Sequence, residues 1–235
     1  MIYAENILIC IALPLCVCVF FTKGSSKMFI MFFVCGMVTC LFSGYIVGYV
    51  QAVSGWQKED IPIFLSPMIE EIIKMIPVLF VLFAFSDRSD IRACLSTTEQ
   101  SIPQNDETES HNISDHSMIL IALGVSAGFA TFENACYILD QGASSFFYIL
   151  IRGLAVGVMH IVSVLAMTML ILALRRLKII SVPVIAGALT MSMTFHGLYN
   201  LLVSDPSILM YVGFSLPIVS AVVLMIPYQK FFSRS

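Results

Sequence analysis

A chain of 235 residues in which 59% of positions are hydrophobic and only 11% charged is too apolar for a soluble domain of that length. The net charge of -3 comes without any basic tract, which excludes an electrostatic nucleic-acid binder. What remains is an all-α polytopic protein of the lipid bilayer, expected as one helical domain over residues 1–235.

Apolar runs of about 18 residues or more predict about seven transmembrane helices. The first, Ile2 to Phe21, has no positive region before it and no small-residue cleavage site after it, so it is read as a span and not as a removable signal peptide. The second is Met28 to Val50, where Gly44 and Gly48 have the small-xxx-small spacing of closely approaching membrane helices. The third, Ile61 to Phe85, carries Glu70 and Glu71 side by side and Lys74 one turn further on. Each carboxylate near a bilayer centre costs about 2.5 to 3.5 kcal/mol on insertion scales, so two adjacent ones require a use or a counter-charge.

The segment from Ser86 to Ser117 is polar and acidic and lacks apolar periodicity, which predicts a flexible loop over 86–117. Its His111 and His116 read as solvated side chains. The fourth span, Met118 to Leu139, holds Glu133 and Asn134, and pairs Gly124 with Gly128. The fifth, Gly153 to Leu174 with a start as early as Phe146 as the alternative, holds His160 and pairs Gly153 with Gly157, with Arg152 expected to snorkel to an interface beside Phe146, Phe147 and Tyr148. The sixth, Ile179 to Val203, holds His196 and Asn200, and the seventh runs from Ser207 to Tyr228. The glycine pairs place the second, fourth and fifth spans inside the bundle. Seven cysteines, six of them in apolar segments, show no disulfide framework or zinc knuckle.

Basic residues sort by loop. Lys23, Lys27, Arg88, Arg92, Arg175, Arg176, Lys178, Lys230 and Arg234 fall on one side of a seven-span chain, and Lys58 and Arg152 on the other. The positive-inside rule then sets the amino terminus outside and the carboxyl terminus in the cytoplasm of a multi-pass cell-membrane protein, with the 86–117 loop cytoplasmic. The Asn112-Ile113-Ser114 sequon in that loop is accordingly not a glycosylation site.

Helical rise puts the polar residues at one depth. At about 1.5 Å per residue, Glu70 lies about 12 Å from the outer end of its span, and Glu133, His160 and His196 about 9 to 12 Å from theirs. Glu70 with Lys74, Glu133 with Tyr137, and His196 with Asn200 are four apart, so each pair shares a helix face. Three carboxylates and two imidazoles in one layer can bind a divalent metal, activate water or relay protons.

The motifs Glu70-Glu71-Ile72-Ile73-Lys74, Gly128-Phe129-Ala130-Thr131-Phe132-Glu133-Asn134-Ala135-Cys136-Tyr137, His160, and His196-Gly197-Leu198-Tyr199-Asn200 resemble those of the PrsW family of intramembrane proteases, relatives of the CAAX-processing and bacteriocin-processing membrane proteases. The resemblance covers the third to sixth spans. It implies catalytic glutamates at Glu70 and Glu71, the acid of a second motif at Glu133, and histidines at His160 and His196. The broader CAAX-protease group has His where Glu133 stands and Arg near Lys74. On this reading His160, His196 and, as third candidate, Glu133 coordinate Zn2+ with one position open for water. Glu70 takes the proton of that water, Glu71 orients the site or pairs with Lys74, and Asn200 donates to the oxyanion or to an imidazole. A metal-free scheme, in which a glutamate activates water directly and the histidines stabilise the oxyanion, is equally consistent with the residues.

The implied substrate is another membrane protein cut near its outer boundary, an anti-sigma factor by the same resemblance. A proton-coupled transporter is the main alternative, but repeat halves and broken helices are missing from the sequence. A non-catalytic scaffold is the other, and the presence of every motif residue argues against it.

Overall fold

The computed structural model describes residues 26–85, 114–141, 145–177 and 179–232. The predicted first span and residues 86–113 of the predicted loop lie outside the described residues. Six long helices follow in order: α1 (Ser26–Ser54), α2 (Ser66–Phe85), α3 (Asp115–Gln141), α4 (Phe146–Arg176), α5 (Val182–Ser204) and α6 (Ile208–Phe232). Among the described residues there is no strand. Five of these helices, α1 and α3 to α6, are long and apolar enough to cross a membrane. The 20-residue α2 is the one that carries Glu70, Glu71 and Lys74.

A π-helical turn, Ile61–Leu65, leads into α2. Pro67 accounts for it. Pro67 has no N–H to give to the carbonyl of Ile63, and the N–H of Ser66 instead reaches back five residues to the carbonyl of Ile61. The predicted third span is therefore continuous in its boundaries but wound more loosely over its first turn.

α3 and α4 form the centre. About 78% of the apolar window of α3 and 83% of that of α4 are buried, against 17% for α1, 22% for α5 and 11% for α6. α3 packs against α1, α2 and α4, and α4 also meets α2, α5 and α6. The shared core joins Met75, Val78 and Leu82 of α2, Ile119, Leu123 and Val125 of α3, and Ile161, Leu165 and Leu172 of α4. At one end Asp115 accepts from Arg175 and Arg176, each at 2.6 Å, which ties the start of α3 to the finish of α4.

Glycine sets the distance between α1 and α3. A Cβ on Gly128 would lie 1.8 Å from the carbonyl oxygen of Phe33, and one on Gly36 would lie 2.0 Å from that of Val125. The predicted contact role thus belongs to Gly124 and Gly128, facing α1. Gly44 and Gly48 instead face open space, and α1 is peripheral, contrary to the expectation from their spacing. The small-xxx-small pattern reports what a helix face permits, not whether a partner lies against it. α4 begins at Phe146, the earlier of the two starts that the sequence allowed, which puts Arg152 in its second turn.

Gly128→Ala forces α1 and α3 apart and is expected to cost about 1 to 3 kcal/mol, the usual range for overpacking. Gly44→Ala is expected to leave stability unchanged. Thermal unfolding of both variants in detergent, followed by monodisperse elution, reads the difference.

Candidate active site

Glu71 and Lys74 are both completely buried and form an ion pair one helical turn apart on α2. Removing two charges from water is unfavourable unless every lone pair and proton is matched, and here nearly all of that matching comes from other helices. Glu71 Oε1 also accepts from His196 Nδ1 at 2.8 Å. Glu71 Oε2 accepts from Ser192 Oγ at 2.7 Å and from Ser163 Oγ at 3.2 Å. Lys74 Nζ donates to His160 Nδ1 at 2.7 Å and lies 4.5 Å from the centroid of the Phe129 ring. One buried pair thereby holds α2, α3, α4 and α5 in register.

The two imidazoles are positioned by that pair. His160 and His196 pack edge to face with centroids 5.0 Å apart, and Phe129 lies against His160 at the same separation. The Glu71 carboxylate fixes the His196 tautomer: Nδ1 carries the donated proton, and Nε2 keeps its lone pair on the side of Glu70. Lys74 has no lone pair to offer, so His160 Nδ1 is the acceptor and its Nε2–H is the group bonded to Glu133.

Glu70 differs from its neighbour. It is 16% exposed, its Oε2 is 3.8 Å from His196 Nε2, and that oxygen is buried with no hydrogen-bond partner. Glu133 is 30% exposed. Its Oε2 meets His160 Nε2, while its Oε1 lies 3.4 Å from Arg152 Nη2. Asn200 Nδ2 donates to the carbonyl oxygen of Pro62 at 2.7 Å, reaching the π-helical turn because Gly197 lets α5 approach Ile63 closely. Glu133, Arg152, His196, Tyr199 and Asn200 line a cavity of about 110 Å³.

All six residues singled out from the sequence are therefore brought to one place, from the start of α2, the middle of α4 and the C-terminal halves of α3 and α5. Among the described residues, Glu70, His160 and His196 each offer a ligand atom within 4.8 Å of the others. Glu133 adjoins this trio through His160. Two participants were missed in the sequence, Ser163 and Ser192, and Arg152 was singled out there chiefly as an anchor. Ser163 follows His160 by three positions and Ser192 precedes His196 by four, so a hydroxyl one turn from each histidine was the available signal.

A family profile described as PrsW family intramembrane metalloprotease matches residues 24–228. The chain belongs to the PrsW family. No curated protein and no solved structure gives a significant match. At the level of the PrsW family the protein is an intramembrane protease of the metallo type, embedded in a membrane by several helices.

Replacing one partner of a buried pair strands the other. Lys74→Met is expected to destabilise by about 3 to 5 kcal/mol, and adding Glu71→Gln to it should recover most of that loss. A double-mutant cycle on detergent-solubilised protein, read by thermal unfolding, checks the coupling.

Proposed function

We propose that this PrsW-family protein hydrolyses a peptide bond of another membrane protein near the outer face of the bilayer, with Glu70 as the carboxylate that takes the proton of the attacking water. The supporting observation is the state of Glu70 Oε2: buried, without a hydrogen bond, and facing the His196 Nε2 lone pair at 3.8 Å. Glu71 and Glu133 have their oxygens engaged elsewhere. Glu70 is thus the carboxylate with capacity left for a water or a cation.

The donor set also fits a divalent cation. Glu70, His160 and His196 supply one oxygen and two nitrogens within 4.8 Å, the ligand types and number of a catalytic zinc site. His160 and His196 would hold it, with Glu133 next to His160 as the third ligand, leaving Glu70 beside the site as the base. When bound, such a cation lowers the pKa of a water and polarises a carbonyl.

The rest of the work falls to the chain. Glu71 holds His196 in the tautomer that presents Nε2 to the site, and Lys74, donating to Nδ1, orients His160, whose Nε2 would ligate a cation only on giving up its proton and its bond to Glu133. Glu70 accepts the proton of water and returns it to the leaving amine. Asn200, anchored on the Pro62 carbonyl, lines the cavity into which the scissile bond enters. The apolar walls Val156, Met159, Val203 and Phe214 limit competing water. The basic-residue asymmetry supports an outer amino terminus and a cytoplasmic carboxyl terminus, which sets the cavity toward the outer face. A membrane-bound anti-sigma factor is the substrate class that the PrsW resemblance supports.

Glu70→Gln is expected to lower cleavage of a co-reconstituted single-span reporter by about 10² to 10⁴-fold while expression and membrane insertion persist. Unimpaired processing would remove Glu70 from the chemistry. Treatment of the purified wild type with 1,10-phenanthroline should abolish cleavage, and added zinc should restore it. Activity indifferent to the chelator would mean that Glu70 works without a cation.

A further inference from the structure

Arg152 sits two turns before His160 on α4, in an apolar helix where an arginine is costly. An arginine serving as an interfacial anchor would turn its guanidinium to water, but this side chain is 18% exposed and turns toward the site. Its Cζ lies 3.5 Å from the centroid of the Tyr137 ring, so the guanidinium is held by a cation–π contact on one face. Nη2 reaches Glu133 Oε1 at 3.4 Å, the long end of hydrogen-bonding range, and Nε is buried with no hydrogen-bond partner. Fixed in place and short of acceptors, the group lines the same cavity of about 110 Å³ as His196 and Asn200.

Peptide hydrolysis needs a donor for the carbonyl oxygen that becomes an oxyanion. Of the neighbouring donors, His196 Nδ1–H is committed to Glu71 and one of the two N–H groups of Asn200 Nδ2 to the Pro62 carbonyl. Among the described residues that line the cavity, Arg152 is the cation. We propose that Arg152 is a catalytic residue of this site, its guanidinium donating to the carbonyl oxygen of the scissile peptide and stabilising the oxyanion as water adds. This rests on the protease reading above. The balance is simple: water adds to the carbonyl carbon, its proton goes to Glu70, the negative charge settles on the oxygen facing Arg152, and collapse expels the amine with that proton. A planar fork with donors at Nε and Nη matches an oxyanion better than a point charge does.

The test uses the full chain in phosphatidylcholine vesicles with a panel of quenched fluorogenic single-span reporters, from which one cleaved by the wild type is chosen. Arg152→Gln is expected to lower kcat by about 10² to 10³-fold with KM changed less than about threefold. Arg152→Lys keeps the charge opposite Glu133 but loses the fork, and is expected to lose about tenfold or more in kcat. Added guanidinium should restore part of the activity of Arg152→Gly in a saturable way. A purely structural arginine predicts the opposite pattern: wild-type kcat in Arg152→Lys, or a loss in Arg152→Gln confined to KM, would overturn the proposal, and the lysine variant decides it even where the glutamine variant fails to fold. If the wild type cleaves no reporter, the protease reading itself falls and takes this proposal with it.

Discussion

A buried carboxylate and a buried ammonium, Glu71 and Lys74, are the constraint around which the described residues are arranged. In a bilayer neither charge finds water, so each demands hydrogen-bonding partners from the protein itself. α2 cannot supply them. They come from Ser163 and His160 on α4, Ser192 and His196 on α5, and the face of Phe129 on α3. The same requirement that makes the pair expensive therefore specifies how four helices meet, and it delivers two imidazoles in defined orientations as a by-product.

Close packing and polar matching divide the structure between them. Toward α1, the surface of α3 is glycine, and the helices approach until backbone touches backbone at Gly36 and Gly128. Toward α2 and α4, contact is made by large apolar side chains away from the site and, within it, by Glu133 to His160 and Arg152 and by the Phe129 ring to Lys74. The central helices α3 and α4 lie largely out of contact with lipid, which allows Glu133 and Arg152 to occupy them. The π-helical turn before α2 adds a local device: its wider bonding ahead of Pro67 frees backbone carbonyls, and Asn200 takes one of them.

Seen this way, the two adjacent glutamates divide labour through a rotation of about 100°. Glu71 points into the dry centre and is fully matched. Glu70 points to the margin, keeps an unmatched oxygen and meets the histidines. Structural demand fixes one carboxylate and leaves the other with an unmatched oxygen, the feature on which the role proposed for Glu70 rests.

The helical class, the five apolar runs that form helices long enough to cross a membrane and the six residues that converge were legible in the sequence, because apolar run length and the cost of intramembrane charge are properties of the chain alone. Periodicity even placed Glu133, His160 and His196 at a common level. What the sequence left open was which groups touch. Helical spacing allowed Lys74 to pair with either glutamate, and the structure pairs it with Glu71, whose carboxylate Ser163, Ser192 and His196 also engage. Arg152 read as an anchor and proved to face the site, and Gly44 read as a contact and proved to face open space. Helix periodicity determines the face on which a side chain stands. Only the tertiary structure decides which neighbour that face meets, since a partner 92 or 125 residues away leaves no mark on local spacing.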